Sequence, residues 1–209
     1  MALGGAVAAA VPAQVSCLRI SFDVQRDGTT IGRHEVALRR NGYYLEVDVS
    51  IDLAVHLAFI PVFSYRHRNH EVWKDGRLVS LDSETNDDGE RFSVTARSQP
   101  DGLHVVGSGG AFRVPATIVP TSYWNPLTID QSRLLDSQHG RILSVRSDLV
   151  SDGERIDGVP ARRYRVTGDL DLDLWYSEKG EWLKIAFEAR GAEVVYARRD
   201  GSFPGGASG

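Results

Sequence analysis

The sequence predicts an all-β protein: a single curled antiparallel sheet that forms an open or closed barrel, with one or two short helices. Apolar and polar residues alternate along many segments, as in Leu18–Val24 and Leu45–Ile51, which is the pattern of half-buried strands. Turn pairs separate these segments. They are Asp27-Gly28, Asn41-Gly42, Asp75-Gly76, Asp88-Gly89, Asp101-Gly102, Asp152-Gly153 and Asp157-Gly158. An antiparallel sheet of roughly ten to thirteen strands must curl or close to protect its edges.

The 209 residues divide into one domain and two tails. Residues 1–16 are predicted to be a signal-peptide remnant or a disordered tail, because 1–13 are uncharged and end on small residues. Residues 17–199 form the antiparallel β-barrel or half-barrel domain, and the Gly- and Ser-rich residues 200–209 form a tail. The apolar start favours export, for example to a periplasm. Cys17 is interpreted as a half-buried thiol at the start of a strand in preference to a lipid anchor.

Charge and cysteine content exclude several function classes. The net charge of −4 provides no basic field for nucleic acid. The single cysteine excludes an intramolecular disulfide and every cysteine-based metal cluster. No phosphate-binding loop, dinucleotide fingerprint or nucleophile elbow is present in the sequence, so no cofactor is expected.

The C-terminal strands can be assigned a register. A tight turn at Lys179-Gly180 and a second at Arg190-Gly191 bring apolar side chains onto one face. The predicted pairs are Tyr176 with Leu183, Leu174 with Ile185, Leu172 with Phe187, Phe187 with Val194, and Ile185 with Tyr196. On the opposite, solvated face, Trp175 is expected to meet Lys184 as a cation–π pair.

Two stretches break the strand pattern. Residues 51–61 are apolar and precede a proline, which predicts a short helix that ends before Pro61. Residues 120–140 contain two prolines, and a second short helix is predicted near 127–137.

The segments 65–78, Tyr123-Trp124-Asn125 and Leu174-Trp175-Tyr176 resemble the bacterial family DUF6134, and more distantly the exported family DUF3108. The resemblance spans roughly 20–199. It implies a curled sheet similar to the half-barrel of the lipoprotein carriers LolA and LolB, in which helices cover a site for acyl chains. The two irregular stretches are then expected to act as the lids. The family brings no established catalytic residues.

The strand Phe63–Lys74 carries the candidate ligand site. Alternation places Phe63, Tyr65, His67, Asn69, Glu71 and Trp73 on one face, and an aromatic face with a few polar groups suits a ligand cavity. Phe59, Phe63, Tyr65, Tyr123 and Trp124 are the candidate lining, Trp73 shares their face, and His67 and Glu71 are the candidate polar anchors. The alternative is a structural strand whose aromatics are core and whose polar groups pair with neighbours.

Two further clusters have weaker claims to chemistry. His67 and His70 point to opposite faces of a strand, so no metal site is expected there. Asp169, Asp171 and Asp173 share one face at a spacing that acid/base hydrolysis could use, although a solvated outer face is favoured.

The leading function is therefore non-catalytic: shelter for a hydrophobic small molecule or lipid inside the barrel. A second hypothesis is a structural or partner-binding envelope domain that contacts a membrane surface or an envelope protein. A third is a hydrolase or isomerase that uses His67 with Glu71, or Asp171 with Asp173.

Overall fold

The computed structural model describes residues 16–57 and 60–199. Within these ranges the chain forms a 15-stranded sheet and a short 3-10 helix over Pro126–Asp130. No helix there is long and apolar enough to cross a bilayer. The strands are β1 Ser16–Arg26, β2 Thr29–Asn41, β3 Tyr44–Leu57, β4 Ile60–Lys74, β5 Arg77–Asp87, β6 Glu90–Gln99, β7 Gly102–Gly107, β8 Gly110–Val114, β9 Val119–Pro120, β10 Arg133–Leu135, β11 Ile142–Ile156, β12 Val159–Gly168, β13 Leu172–Ser177, β14 Trp182–Ala189 and β15 Ala192–Arg198.

All strands belong to one curled sheet, as the sequence predicts. The order is β8-β7-β6-β5-β4-β3-β2-β1-β15-β14-β13-β12-β11-β10-β9, and only the β9–β10 pair is parallel. The two edge strands, β8 and β9, follow one another in the chain, so residues 115–118 connect one edge of the sheet to the other. The sheet is barrel-like, and no strand ladder joins its two edges.

Loops bring the two edges together without a ladder. The Ser108 N–H donates to the His139 carbonyl at 2.9 Å, and the Leu78 N–H donates to Ala116 at 2.8 Å. The segment 136–141 is thereby held against the tip of the β7–β8 hairpin. The interior enclosed by the curl holds one large cluster of buried apolar side chains that includes Phe22, Leu174 and Trp182.

Gly107 makes this edge contact sterically possible. A methyl group at Gly107 would lie 2.5 Å from the His139 carbonyl oxygen and 2.6 Å from Gly140 Cα. We expect Gly107→Ala to lower the free energy of unfolding by about 2 kcal/mol, because backbone must move to relieve the overlap. Gly109→Ala in the same hairpin is the control, since a methyl group there meets nothing within 4 Å. Urea unfolding of both variants measures the difference, and equal stabilities would contradict the prediction.

The predicted turns and register are largely confirmed. Four of the seven predicted turn pairs, Asp27-Gly28, Asp75-Gly76, Asp88-Gly89 and Asp157-Gly158, have positive φ at both positions, as a type I′ turn requires. Asn41-Gly42 and Asp101-Gly102 also lie at chain reversals, each displaced by one residue from the turn centre. The turn predicted at Asp152-Gly153 is wrong, because this pair lies within β11 at a bulge. Four of the predicted cross-strand pairs occur: Leu174–Ile185, Leu172–Phe187, Phe187–Val194 and Ile185–Tyr196. Tyr176 pairs with Trp182 instead of Leu183, because a bulge follows Trp175. The Ser177 hydroxyl accepts the N–H groups of Lys179 and Glu181, which accounts for the wider turn.

The helix predicted over 51–61 is wrong. β3 continues to Leu57 and β4 begins at Ile60, so the described residues of this stretch belong to two paired strands. Val55 pairs with Phe63 across the hairpin, and a bulge follows at His56, which lies opposite Pro61. A bulge tolerates proline because the ladder is interrupted there. Cross-strand pairing therefore overrides the local helical pattern.

The second irregular stretch is partly helical, as expected, but its helix is shorter. The 3-10 helix over Pro126–Asp130 is capped by Asn125, whose side chain accepts the Leu127 N–H at 3.0 Å. The chain then extends into β10 instead of continuing as a helix to 137. With the short strands β9 and β10 included, the described residues form 15 strands, which is more than the ten to thirteen that the sequence predicts.

Of the predictions for the two ends of the chain, only the one for Cys17 falls on described residues. Residues 1–15 and 200–209, with the predicted signal remnant and the C-terminal tail, lie outside the described residues. Cys17 is a free thiol at the start of β1, as predicted, but it is exposed instead of half-buried.

Candidate ligand-binding cavity

A cavity of about 710 Å³ lies inside the curled sheet. One wall is apolar and comes mainly from β3 and from β13–β15. Its side chains include Ile51, Leu53, Leu172, Ile185, Phe187 and Val194. The other wall is polar and comes from β4, β5 and the loops around β10. Its side chains include His67, Ser122, Tyr123, Asp136, Gln138 and His139. An apolar cavity of this size with a few placed polar groups is typical of small-molecule sites.

The inward face of β4 divides into a cavity section and a core section. Phe63, Tyr65 and His67 line the cavity, and Tyr123 joins them from the loop before the 3-10 helix. Glu71, Trp73 and Trp124 lie farther along the interior, outside the cavity lining. The predicted alternation is correct, but the strand is longer than the cavity: His67 and Glu71 are four residues, or about 13 Å, apart. Phe59 lies outside the described residues.

Two buried imidazoles stand in one row across the sheet. His34 on β2 and His67 on β4 both pair with Ile51 on β3, so they flank it on the inner face. The Nδ1 atom of His67 lies 2.8 Å from the Thr85 hydroxyl, whereas neither ring nitrogen of His34 has a hydrogen-bond partner among the described residues. Burial lowers the pKa of His34 to about 3, and the neighbouring His67 adds to the effect. Both rings are therefore held in the neutral state.

Burial is also the main cause of the shifted pKa of His67. It lowers that pKa to about 4, with Asp136 opposing and Arg68 reinforcing the shift.

His34 packs edge-on against aromatic rings, with centroid distances of 5.1 Å to Trp182 and 5.4 Å to Tyr196. An uncharged imidazole fits such surroundings because a charged ring would lose its hydration there.

Three tyrosines bring hydroxyl groups into the same space. Tyr65 on β4 donates to the Gln138 side-chain oxygen at 3.0 Å. Tyr123 and Tyr196 also line the cavity, and burial raises the pKa of all three phenols well above the ordinary value. The phenols thus stay protonated as uncharged hydrogen-bonding groups.

The loop after β10 forms a compact charged unit at the polar wall. Asp136 accepts from His139 Nδ1 at 2.9 Å and from Arg141 Nε at 3.0 Å. Its other oxygen accepts the Gln138 N–H at 2.9 Å. These hydrogen bonds within the loop fix its conformation. They also position the Gln138 side chain to accept the hydrogen bond from Tyr65.

The exposed end of the cavity is its rim, formed by Val62, Phe63, Asp87, Glu188 and Arg190. The Arg190 guanidinium in the β14–β15 turn lies 4.5 Å from the centre of the Phe63 ring. It also lies 3.6 Å from Asp87. These contacts connect the β3–β6 side of the curl to β14–β15 across the opening.

Beyond the cavity, Glu71 forms a buried hydrogen-bond cluster. Its carboxyl group is fully buried and accepts from Trp73 Nε1 at 2.8 Å, Trp124 Nε1 at 3.0 Å and Asn69 Nδ2 at 2.7 Å. Burial raises the pKa of Glu71, and these hydrogen bonds oppose the shift. Trp124 neighbours Tyr123, so the cluster anchors the loop that forms part of the cavity wall.

Of the other sequence candidates, Asp169 and Asp171 are part of the cavity lining, whereas His70 and Asp173 are not. His70 points to the outer face and contacts Asp48 at 2.7 Å. Asp173 is buried instead of solvated, because Arg163 and Arg165 cover it at 2.8 and 3.2 Å. Asp171 also pairs with Arg165. The carboxylates of Asp171 and Asp173 are each neutralised by an arginine, which is an arrangement of structural ion pairs.

Like Asp173, Trp175 is buried, although the sequence analysis places it on a solvated face. The predicted contact with Lys184 is present at 4.7 Å, and Arg163 stacks on the same ring at 5.2 Å. The ring is nevertheless buried with Ala161 and Leu183 in a second small apolar cluster. Its indole N–H donates to Glu154 at the end of the long β11–β12 hairpin.

Sequence reasoning missed His34, Asp136, His139 and Tyr196 as cavity residues. His34 and Tyr196 lie on the apolar faces of alternating strands, so the period-two pattern alone could have found them. Asp136 and His139 have no such signal. Their position depends on the contact between the β7–β8 hairpin and the loop after β10, which joins distant parts of the chain.

Fold and cavity together define a barrel-like all-β protein with an enclosed, mixed polar and apolar interior. The family model described as Domain of unknown function (DUF6134) matches residues 22–199, so the chain belongs to the DUF6134 family.

One solved structure with a similar fold is titled Crystal Structure of Beta-barrel-like Protein of Domain of Unknown Function DUF1849 from Brucella abortus. It is 13% identical to this chain and aligns with a TM-score of 0.57 over 88% of this chain and 96% of that one. At this identity the likeness concerns the fold alone. A comparison with curated proteins finds no match.

Proposed function

We propose that this protein binds a hydrophobic small molecule or lipid inside the barrel, without catalysing a reaction. The observation that carries the proposal is the cavity of about 710 Å³, whose lining includes many apolar side chains from β3 and β13–β15. Transfer of apolar ligand surface into such a cavity is favourable by about 25 cal/mol per Å². The rim contacts of Arg190 with Phe63 and Asp87 are the gate in this proposal, since they must separate to admit a ligand.

The competing hypotheses are less well supported. A purely structural domain would be expected to fill its interior with side chains, because protein cores are close-packed. Catalysis by His67 with Glu71 would require both groups to reach one substrate. Glu71 is enclosed by its hydrogen-bond donors and is not part of the cavity lining.

The cavity can be tested with a neutral fluorescent probe. We expect N-phenyl-1-naphthylamine to bind with increased fluorescence, and Leu53→Trp to weaken binding by about tenfold or more, because the indole would occupy the cavity. Val106→Trp is the control, since Val106 is exposed and lies outside the lining. Equal binding by wild type and Leu53→Trp would contradict a cavity site. Mass spectrometry of lipids extracted with the native protein then identifies the ligand class.

We further propose that the protein works outside the cytoplasm, where the barrel exchanges its ligand with a membrane surface or an envelope protein. Support comes from the uncharged, apolar residues 1–13, which end on small residues. Fractionation of cells that express the tagged full-length chain tests this proposal, and retention in the cytoplasm would contradict it.

A further inference from the structure

The interior of the cavity contains polar atoms that the fold itself does not use. His67 uses Nδ1 for Thr85. Its Nε2 atom and the hydroxyls of Tyr123 and Tyr196 have no hydrogen-bond partner within 16–57 and 60–199, and all three side chains line the cavity. They come from β4, β15 and the loop before the 3-10 helix, so three separate segments direct polar groups into one space. These atoms are open to the cavity space, so the polar group of a ligand that enters the cavity can pair with them.

These groups are polar but uncharged. The lowered pKa of His67 and the raised pKa values of Tyr123 and Tyr196 keep all three neutral at neutral pH. A neutral imidazole nitrogen donates or accepts according to its tautomer, and a phenol does both. The set therefore complements a hydroxyl or carbonyl group.

The charged residues of the lining are Arg26, Asp87, Asp136, Arg141, Asp169, Asp171, Glu188 and Arg190. Arg190 and Asp87 are paired at the rim, and Arg141 is paired with Asp136 in the loop after β10. The charged groups that act on His67 are Asp136 and Arg68, and each is already in an ion pair, with Arg141 and with Asp52. A carboxylate or ammonium group placed beside His67 would therefore lose its hydration without gaining a free counter-ion. The position of the charges thus selects against ionic head groups in the interior.

We infer, on the basis of the proposed function, that the ligand is an uncharged amphiphile whose hydroxyl or carbonyl end binds His67, Tyr123 and Tyr196. Its alkyl part extends toward the rim between Leu53 and Phe187. Four residues of β4 separate His67 from Phe63 at the rim, a distance of about 13 Å, which suits an alkyl chain of medium length.

The test compares probes that share one chain and differ in head group. At pH 8, 1-decanol, decanoate and decyltrimethylammonium are titrated against the full chain while bound N-phenyl-1-naphthylamine is displaced. We expect 1-decanol to bind about tenfold or more tightly than either ion. Tyr123→Phe and Tyr196→Phe keep the rings and remove only the hydroxyls. Each should weaken 1-decanol several-fold, by a clearly larger factor than it weakens the naphthylamine, whereas Tyr44→Phe, at an exposed site on β3, should change neither affinity.

The outcomes separate this inference from the proposed function. If decanoate or the ammonium compound binds as tightly as 1-decanol, the neutral head-group inference is overturned although the cavity still binds ligands. The inference is also overturned if 1-decanol fails to displace the naphthylamine. It is overturned as well if Tyr123→Phe and Tyr196→Phe both leave the affinity for 1-decanol unchanged. If the naphthylamine itself does not bind, the proposed function fails.

Discussion

Glu71→Ala is expected to lower the free energy of unfolding by about 4 kcal/mol. The substitution leaves the indole N–H groups of Trp73 and Trp124 and the amide of Asn69 without an acceptor in a dry interior. Each unsatisfied donor costs about 1–3 kcal/mol, and the cavity left by the side chain adds to the loss. Denaturant unfolding followed by tryptophan fluorescence measures the effect.

Glu71→Gln distinguishes the acceptor role from the charge. The glutamine oxygen can accept both indole N–H groups. A rotation of the Asn69 amide by 180° lets the glutamine amide donate to Asn69 Oδ1, which has no hydrogen-bond partner among the described residues. We therefore expect this variant to match or exceed wild-type stability at pH 8. Glu84→Gln, at an exposed site on β5, is the control for charge removal. Equal losses in Glu71→Gln and Glu71→Ala would show that the negative charge itself is required.

The same residue has a defined pH dependence. Because the folded pKa of Glu71 is raised, the folded protein holds this proton at pH values where the unfolded chain has released it. The contribution of Glu71 to stability is thus fully present below the unfolded value of about 4.5 and is lost as the pH rises through the folded pKa. Glu71→Gln is expected to remove this dependence.

Acid should destabilise the protein through His34 and His67. Between pH 7.5 and pH 5 we expect the free energy of unfolding to fall by about 4 kcal/mol from these two groups. The unfolded imidazoles bind protons below about pH 6.5, whereas the folded ones remain neutral because their pKa values are lowered to about 3 and about 4. Each group therefore costs about 1.4 kcal/mol per pH unit below 6.5.

The measurement is best made in the Glu71→Gln background, because Glu71 acts with the opposite sign. Adding His34→Leu should reduce the slope of stability against pH by about half, whatever its effect on absolute stability. His56→Gln, at an exposed site on β3, is the control for the loss of a histidine. A slope that His34→Leu does not alter would mean that His34 is protonated in the folded protein.

The strand pattern of this protein is local information, and the sequence is enough to predict it. Asp-Gly turns accept positive φ at both positions, and alternation marks the buried face, so the curled sheet and much of the β13–β15 register can be predicted. The apolar stretch over 51–61 shows the limit. A short apolar run is compatible with helix or strand, and the pairing of β3 with β4 decides between them.

Some residues of the candidate site can likewise be predicted from the sequence, and others are found only from the tertiary structure. Phe63, Tyr65 and His67 are found from the periodicity of a single strand. Asp136 and His139 become part of the cavity wall only because Gly107 lets the β7–β8 hairpin contact the loop after β10. Such a contact joins residues about thirty positions apart in the chain and leaves no periodic signal.

By itself, the sequence determined the class of fold, the inward face of each long strand and the absence of a basic field for nucleic acid. Only the tertiary structure decided that β4 divides into a cavity lined by His67 and a closed cluster around Glu71, which the sequence treats as one face. The physical reason is that the two ends of β4 face different parts of the interior of the curled sheet. Alternation states which side of a strand faces inward, but the opposing loops and strands determine whether an inward side chain meets a space or a partner.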